Sequence, residues 1–144
     1  MKLLNRLFCL MMWVPAHQAA MAAQPFPLAG TWTLVAADRL LPNGTREHDY
    51  GDSPRGLMMI DTEGRYTVQI YQYLAVEKSS THFGRMQIDE PSRTLTFIIE
   101  SAARADWVGT RQERRYELKG DELSYRVPVR ADGHIPLSVW RRVN

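Results

Sequence analysis

Leu28-Ala29-Gly30-Thr31-Trp32-Thr33-Leu34-Val35 is the stretch from which the fold of this 144-residue chain is read. Thr31, Thr33 and Val35 alternate with Trp32 and Leu34, the period of a β-strand whose two faces meet different surroundings. A glycine two residues ahead of an indole marks a point where something approaches too closely for a Cβ. The octet therefore predicts a first strand that starts at a tight position and buries Trp32.

Outward from that strand, short alternating runs are parted by turn residues at intervals of about ten, the texture of an all-β domain. The predicted strands are Thr31 to Ala37, Gly56 to Ile60, Arg65 to Tyr73, His82 to Ile88, Thr94 to Ser101, Gln112 to Leu118, Glu122 to Val129 and Leu137 to Val143. Turns fall at Asn43-Gly44, Asp61 to Gly64, Asp89 to Ser92, Lys119 to Asp121 and Asp132-Gly133, where Gly, Asn and Asp tolerate positive φ. Gln24 to Pro27 reads as an extended lead-in. Thr45 to Arg55 is polar, rich in turn formers, and expected to be a long exposed loop. Leu74 to Thr81 suits a helical turn or the end of a strand, and Ala102 to Arg111 is a loop with room for a short helix. Eight antiparallel strands, with a ninth open, close into an up-and-down barrel that holds side chains or one small ligand.

The segment ahead of the octet is read differently. Lys2 and Arg6 precede an apolar run from Leu7 to Ala16, and small residues follow at Ala19, Ala20, Ala22 and Ala23. That order is a secretory signal peptide, and the run is shorter than the roughly 20 residues of a membrane span. Residues 1–22 are assigned to it and residues 23–144 to the barrel domain. The single cysteine, Cys9, belongs to the signal segment, so the exported domain relies on its core without disulfides. Loss of Lys2 and Arg6 from 18 bases leaves 16 facing 16 acids. A formally neutral domain carries no electrostatic case for nucleic acid or a membrane surface. Export predicts a periplasmic or secreted location, and a monomer is the default state.

Three further pieces accompany the octet: Arg55-Gly56-Leu57-Met58-Met59-Ile60-Asp61-Thr62-Glu63-Gly64-Arg65-Tyr66, Phe83-Gly84, and Gly120-Asp121-Glu122-Leu123 with Val139-Trp140-Arg141-Arg142. In this order they resemble the small bacterial lipocalin-like domains of the calycin superfamily, across essentially all of residues 23–144. The resemblance implies a barrel whose first-strand Trp plugs one end under a basic residue of the last strand. Trp140 and Arg142 share a strand face, so Arg142 is assigned to Trp32 with Arg141 as alternate, and Gly30, Trp32 and Arg142 form the structural set. The chain departs from the family pattern at Thr96-Phe97-Ile98-Ile99, where a histidine is common.

Candidate lining residues follow from strand alternation: Tyr66, Val68, Ile70, Met86, Phe97, Arg114, Tyr116 and Tyr125 as the ligand-binding set, with Ile88 and Leu95 beside them. Each also serves as core filling in a domain this small. Arg114 is the sharpest of them. It shares a face with Tyr116 and Leu118, and a guanidinium aimed into an apolar barrel needs a partner or an acidic ligand such as a fatty-acid-like carboxylate. Arg114 satisfied by a neighbouring Glu or by the barrel mouth is the alternative. Glu47 to Arg55 is a candidate lid or a plain connection, and Trp107 a mouth contact or a packing anchor. His48, His82 and His134 stand far apart in or beside polar stretches, without metal-ligand spacing, and no strained nucleophile elbow such as GxSxG occurs. No metal or other cofactor is expected. The leading expectation is an exported binding protein for a small apolar or amphipathic molecule. An isomerase or cyclase acting on an apolar substrate, and a filled barrel acting as an interaction module, are the alternatives.

Overall fold

The computed structural model describes residues 23–73 and 75–143, and the signal segment assigned to residues 1–22 lies outside them. Nine strands follow one another: β1 Gly30–Leu40, β2 Arg46–His48, β3 Pro54–Ile60, β4 Arg65–Gln72, β5 Ala75–Asp89, β6 Thr94–Ala102, β7 Arg111–Lys119, β8 Glu122–Arg126 and β9 Ile135–Val143. All pairings are antiparallel, and β1 and β9 close the ring. Eight of the strands make an up-and-down, lipocalin-like barrel. The ninth, β2, is a short flap paired only with the far half of β1, through Asp38, Arg39 and Leu40.

Two segments differ from their sequence reading. The stretch Thr45 to Arg55, expected as open loop, contains β2 and the start of β3, because β1 runs on past Ala37 and offers its edge to Arg46–His48. Most of the ambiguous stretch after Leu74 is strand: β5 starts at Ala75 and hydrogen-bonds to β4 with a shift of register between Tyr71 and Gln72. Leu74 itself lies outside the described residues. The 102–111 connection holds one 3₁₀ turn, Ala105–Trp107. The lead-in bends at Phe26 to Ala29, where the Ala29 N–H donates to the Phe26 carbonyl at 2.9 Å.

Alternation delivers the core. Tyr66, Val68 and Ile70 of β4, Met86 of β5, and Leu95, Phe97 and Ile99 of β6 are all buried. Gly84 lies beside a bulge between β5 and β6, and a Cβ there would stand 2.0 Å from the Ile98 carbonyl oxygen. Nothing larger than hydrogen fits.

One end of the barrel is filled. Trp32 and Trp140 are fully buried there with Leu28, Met58 and Leu123. The Trp32 indole N–H donates to the Leu28 carbonyl at 3.0 Å. Arg142, opposite Trp32 in the β1–β9 register, lays its guanidinium 4.2 Å from the centre of the indole ring and donates to the Ala29 carbonyl. Arg141 pairs with Thr33 instead and lies 3.8 Å from Glu122. Gly30 has φ +139°, and a Cβ on it would meet Arg142 Nη1 at 2.8 Å, which is the close approach its place before Trp32 predicts. Trp140 Nε1 is the one sealed side-chain donor without a partner within hydrogen-bond geometry among the described residues.

Candidate functional site

A column of rings climbs from this floor. Trp140 stacks with Tyr125 at 6.5 Å between centroids. Tyr125 meets Phe97 edge-on at 5.6 Å, and Phe97 touches Tyr66 at 4.8 Å and His82 at 5.1 Å. Trp107, carried by the 3₁₀ turn, caps His82 at 5.6 Å. Above Phe97 the filling stops, and a cavity of about 260 Å³ opens at the end opposite Trp32.

The cavity wall is mixed. Ala37, Ile70, Phe97, Trp107 and Leu137 supply apolar surface, and Asp38, Asp49, Tyr50, His82, Gln112, Arg114, Tyr125, Arg130 and Ser138 supply polar groups. The two acids are already engaged. Asp38 is buried and accepts from Arg46 Nε and, at 2.9 Å, pairs with His48 Nδ1, which ties the flap β2 to the cavity wall. That hydrogen bond to Asp38, and its charge, raise the His48 pKa above the ordinary 6.5. Asp49 lies 3.4 Å from Lys78 Nζ.

The cations are not matched in the same way. Arg114 projects inward from β7 as alternation predicts, with its guanidinium 6.0 Å from the centre of the Phe97 ring. It donates to Gln112 Oε1 at 2.6 Å and to the Glu113 carbonyl at 2.8 Å, and makes no ion pair among the described residues. Burial pushes its pKa down from the ordinary arginine value, and the charge of Arg130 adds to the effect. Arg130, on the loop before β9, is also without an acid partner among the described residues. The rim thus carries two uncompensated positive charges around a half-apolar pocket.

His82 is the second unusual group. It is buried, with Nδ1 2.9 Å from the Tyr66 hydroxyl. Loss of water, with the nearby Arg114 charge second, lowers its pKa to about 4. It is therefore a neutral imidazole at ordinary pH. Burial likewise holds the Tyr66 phenol well above its usual value.

Of the residues proposed from sequence, Ile70, Phe97, Arg114 and Tyr125 line the cavity. Tyr66 reaches it only through His82, while Val68, Met86 and Leu95 are packed below it in the core and Ile88 packs at the core's edge. Tyr116 is half-buried near the floor, against a separate cleft with Arg93, Arg115 and Arg126. Its place reflects the β6–β7 register: β6 begins opposite Arg115, so the end of β7 overhangs on that side and pairs with β8 alone, Tyr116 opposite Tyr125.

Sequence reasoning passed over Asp38 and Arg130, held Tyr50 only as part of the candidate lid, and weighed His82 only as a metal ligand. For His82 a signal existed, since period 2 counted back from Ile88 and Met86 puts it on the inward face. Among the described residues no group of three or more His, Cys, Asp or Glu side chains is placed to hold a metal ion, and no helix is long and apolar enough to cross a membrane. Comparison with known proteins finds no match, whether among family models, curated proteins or solved structures. The functional case rests on this geometry.

Proposed function

We propose that the chain is an exported, lipocalin-like binding protein that holds one small amphipathic molecule in the barrel mouth, its acidic group on Arg114 and its apolar part against Phe97, Ile70 and Trp107. The observation that carries this reading is the Arg114 guanidinium, half-buried at the cavity wall and without a carboxylate partner among the described residues. Such a charge is costly unless an anion meets it, and arginine suits a carboxylate because its fork donates two parallel hydrogen bonds. The volume selects size: about 260 Å³ lies just under the range of roughly 300–1,000 Å³ for sites taking drug-sized ligands. The aromatic column stops a long chain from threading to the floor, which favours short and compact acids over long fatty acids.

Export is supported by the signal-peptide pattern in residues 1–22. The catalytic alternative draws on Tyr66 and His82, hydrogen-bonded beside the cavity. It ranks second because general bases work best with a pKa near the operating pH, and about 4 makes His82 a feeble one. The test is isothermal titration of the purified protein with medium-chain and aromatic carboxylates, wild type against Arg114→Met. Saturable one-to-one binding that weakens at least about tenfold in the variant is expected. An absence of binding to every acid, or affinity indifferent to Arg114, would overturn the reading.

A further inference from the structure

The Tyr66–His82 contact assigns a proton. The Tyr66 hydroxyl is buried with its core neighbours and has a single hydrogen-bond partner among the described residues, His82 Nδ1. A hydroxyl hydrogen sealed inside a protein needs an acceptor, and a neutral imidazole has one donor and one acceptor nitrogen. Tyr66 therefore donates, Nδ1 accepts, and the imidazole proton sits on Nε2. That nitrogen makes no hydrogen bond among the described residues and is not one of the sealed, unpartnered atoms. What surface the ring keeps belongs to the cavity, whose wall it forms together with Arg114.

Of the polar groups on the cavity wall, the two flanking Phe97, the cationic fork of Arg114 and the neutral N–H of His82, are then both donors. From this we infer that the ligand is a compact acid carrying a second, uncharged acceptor oxygen, a ketone or ether, which receives the His82 Nε2–H while its carboxylate lies on Arg114. The inference rests on the proposed binding function and narrows it to an oxo- or alkoxy-substituted acid. Phe97 and Trp107 both stand edge-on within ring contact of His82, so the acceptor is met beside apolar aromatic surface. A ligand hydrocarbon at Nε2 would strip that N–H of water and return nothing, and a ligand donor there would oppose it.

Tyr66 is on this argument a positioning residue. It touches no ligand, and by occupying Nδ1 it sets which way His82 reads. The experiment is a titration of the purified protein with two acids of one skeleton, benzoylpropionate and phenylbutyrate, which differ by a ketone in place of a methylene. Wild type should prefer the keto acid by about tenfold, the worth of one buried hydrogen bond. Tyr66→Phe frees the tautomer and, since a free ring still offers Nε2–H in about half its molecules, should lower that preference only about twofold, while His82→Phe, which removes the donor, should erase it. A ¹⁵N spectrum of the wild-type imidazole supplies a reading that needs no variant: Nε2 protonated and Nδ1 bare at neutral pH. Equal binding of both acids, still dependent on Arg114, would overturn the His82 assignment and leave the binding function standing. A proton found on Nδ1 would also overturn it. Failure of both acids to bind would remove the binding function and this inference with it.

Discussion

Gly30→Ala tests the reading of the filled end most directly, because a single methyl group probes three contacts there. The backbone sits at φ +139°, a conformation that side chains tolerate at a cost of about 1–3 kcal/mol. The new Cβ would stand 2.8 Å from Arg142 Nη1, so the guanidinium must shift. An unattached arginine would yield at little cost, but this one is held twice. It stacks at 4.2 Å on the Trp32 ring, worth about 0.5–2 kcal/mol, and it donates to the Ala29 carbonyl, where a charged hydrogen bond contributes about 1.5–3 kcal/mol. Partial loss of both, added to the strain, gives about 2–4 kcal/mol, enough to lower Tm by roughly 10 °C in a domain of this size. Thermal and urea melts read the total, and a double-mutant cycle with Arg142→Met separates its parts. With Arg142 gone the methyl group meets open space and only the strain remains, so the two substitutions should couple by about 1–2 kcal/mol. A Gly30→Ala protein that melts like wild type, or one that loses the same stability in both backgrounds, would refute the account of Gly30 as the seat of Arg142.

Two further outcomes follow from the same structure. Trp32→Ala leaves a void among Leu28, Met58 and Trp140 and should cost about 3–5 kcal/mol in urea unfolding; an unchanged denaturation midpoint would show that the indole does not plug the barrel. His82, held at about 4 against the ordinary 6.5, stays neutral where the unfolded chain binds a proton, so stability should fall as pH drops through that window, by roughly 3 kcal/mol in all. His82→Gln should flatten this part of the acid limb by that amount in urea melts between about pH 7 and pH 4, and parallel curves for the two proteins would sink the assignment. His48 has the opposite sign, its contribution being complete below 6.5 and lost as pH rises through its raised folded value.

Where one face of a strand is dry and the other wet, the pattern could be read in advance. Tyr66, Val68 and Ile70 alternate cleanly with Thr67, Gln69 and Tyr71, and their inward face is the buried one. The barrel, Trp32 and its pairing with Arg142 were legible for that reason. The mouth was harder, because polar groups there face inward and apolar ones outward. His82 looks polar in sequence yet is buried, while its neighbour Phe83 is half exposed. Asp38 follows a run whose expected end was Ala37, and its burial depends on Arg46 and His48, eight and ten residues away, folding back to meet it. Pairing of that kind is a tertiary event with no local pattern. Tyr116 shows the reverse limit: period 2 gives its face, but where it lies along the barrel axis depends on the register between strands.

The division of the interior explains how one alternation serves both stability and binding. Following β1 from Trp32 to Asp38, or β5 from Met86 to His82, the inward residues pass from large and apolar to polar. In β7 they run from Tyr116 up to Arg114 and Gln112. The Phe97 layer lies between the two regimes, touching Tyr125 below and His82 above. Because that layer is filled, the floor supplies dry packing whatever occupies the mouth, and the mouth can carry an unmatched arginine and an imidazole N–H without wetting the core. The desolvation at Arg114 and His82 is then offset by burial several layers away, around Trp32 and Trp140. A barrel hollow along its whole length could not separate them in this way, since water or ligand reaching Trp32 would draw on the same contacts that hold the ring closed.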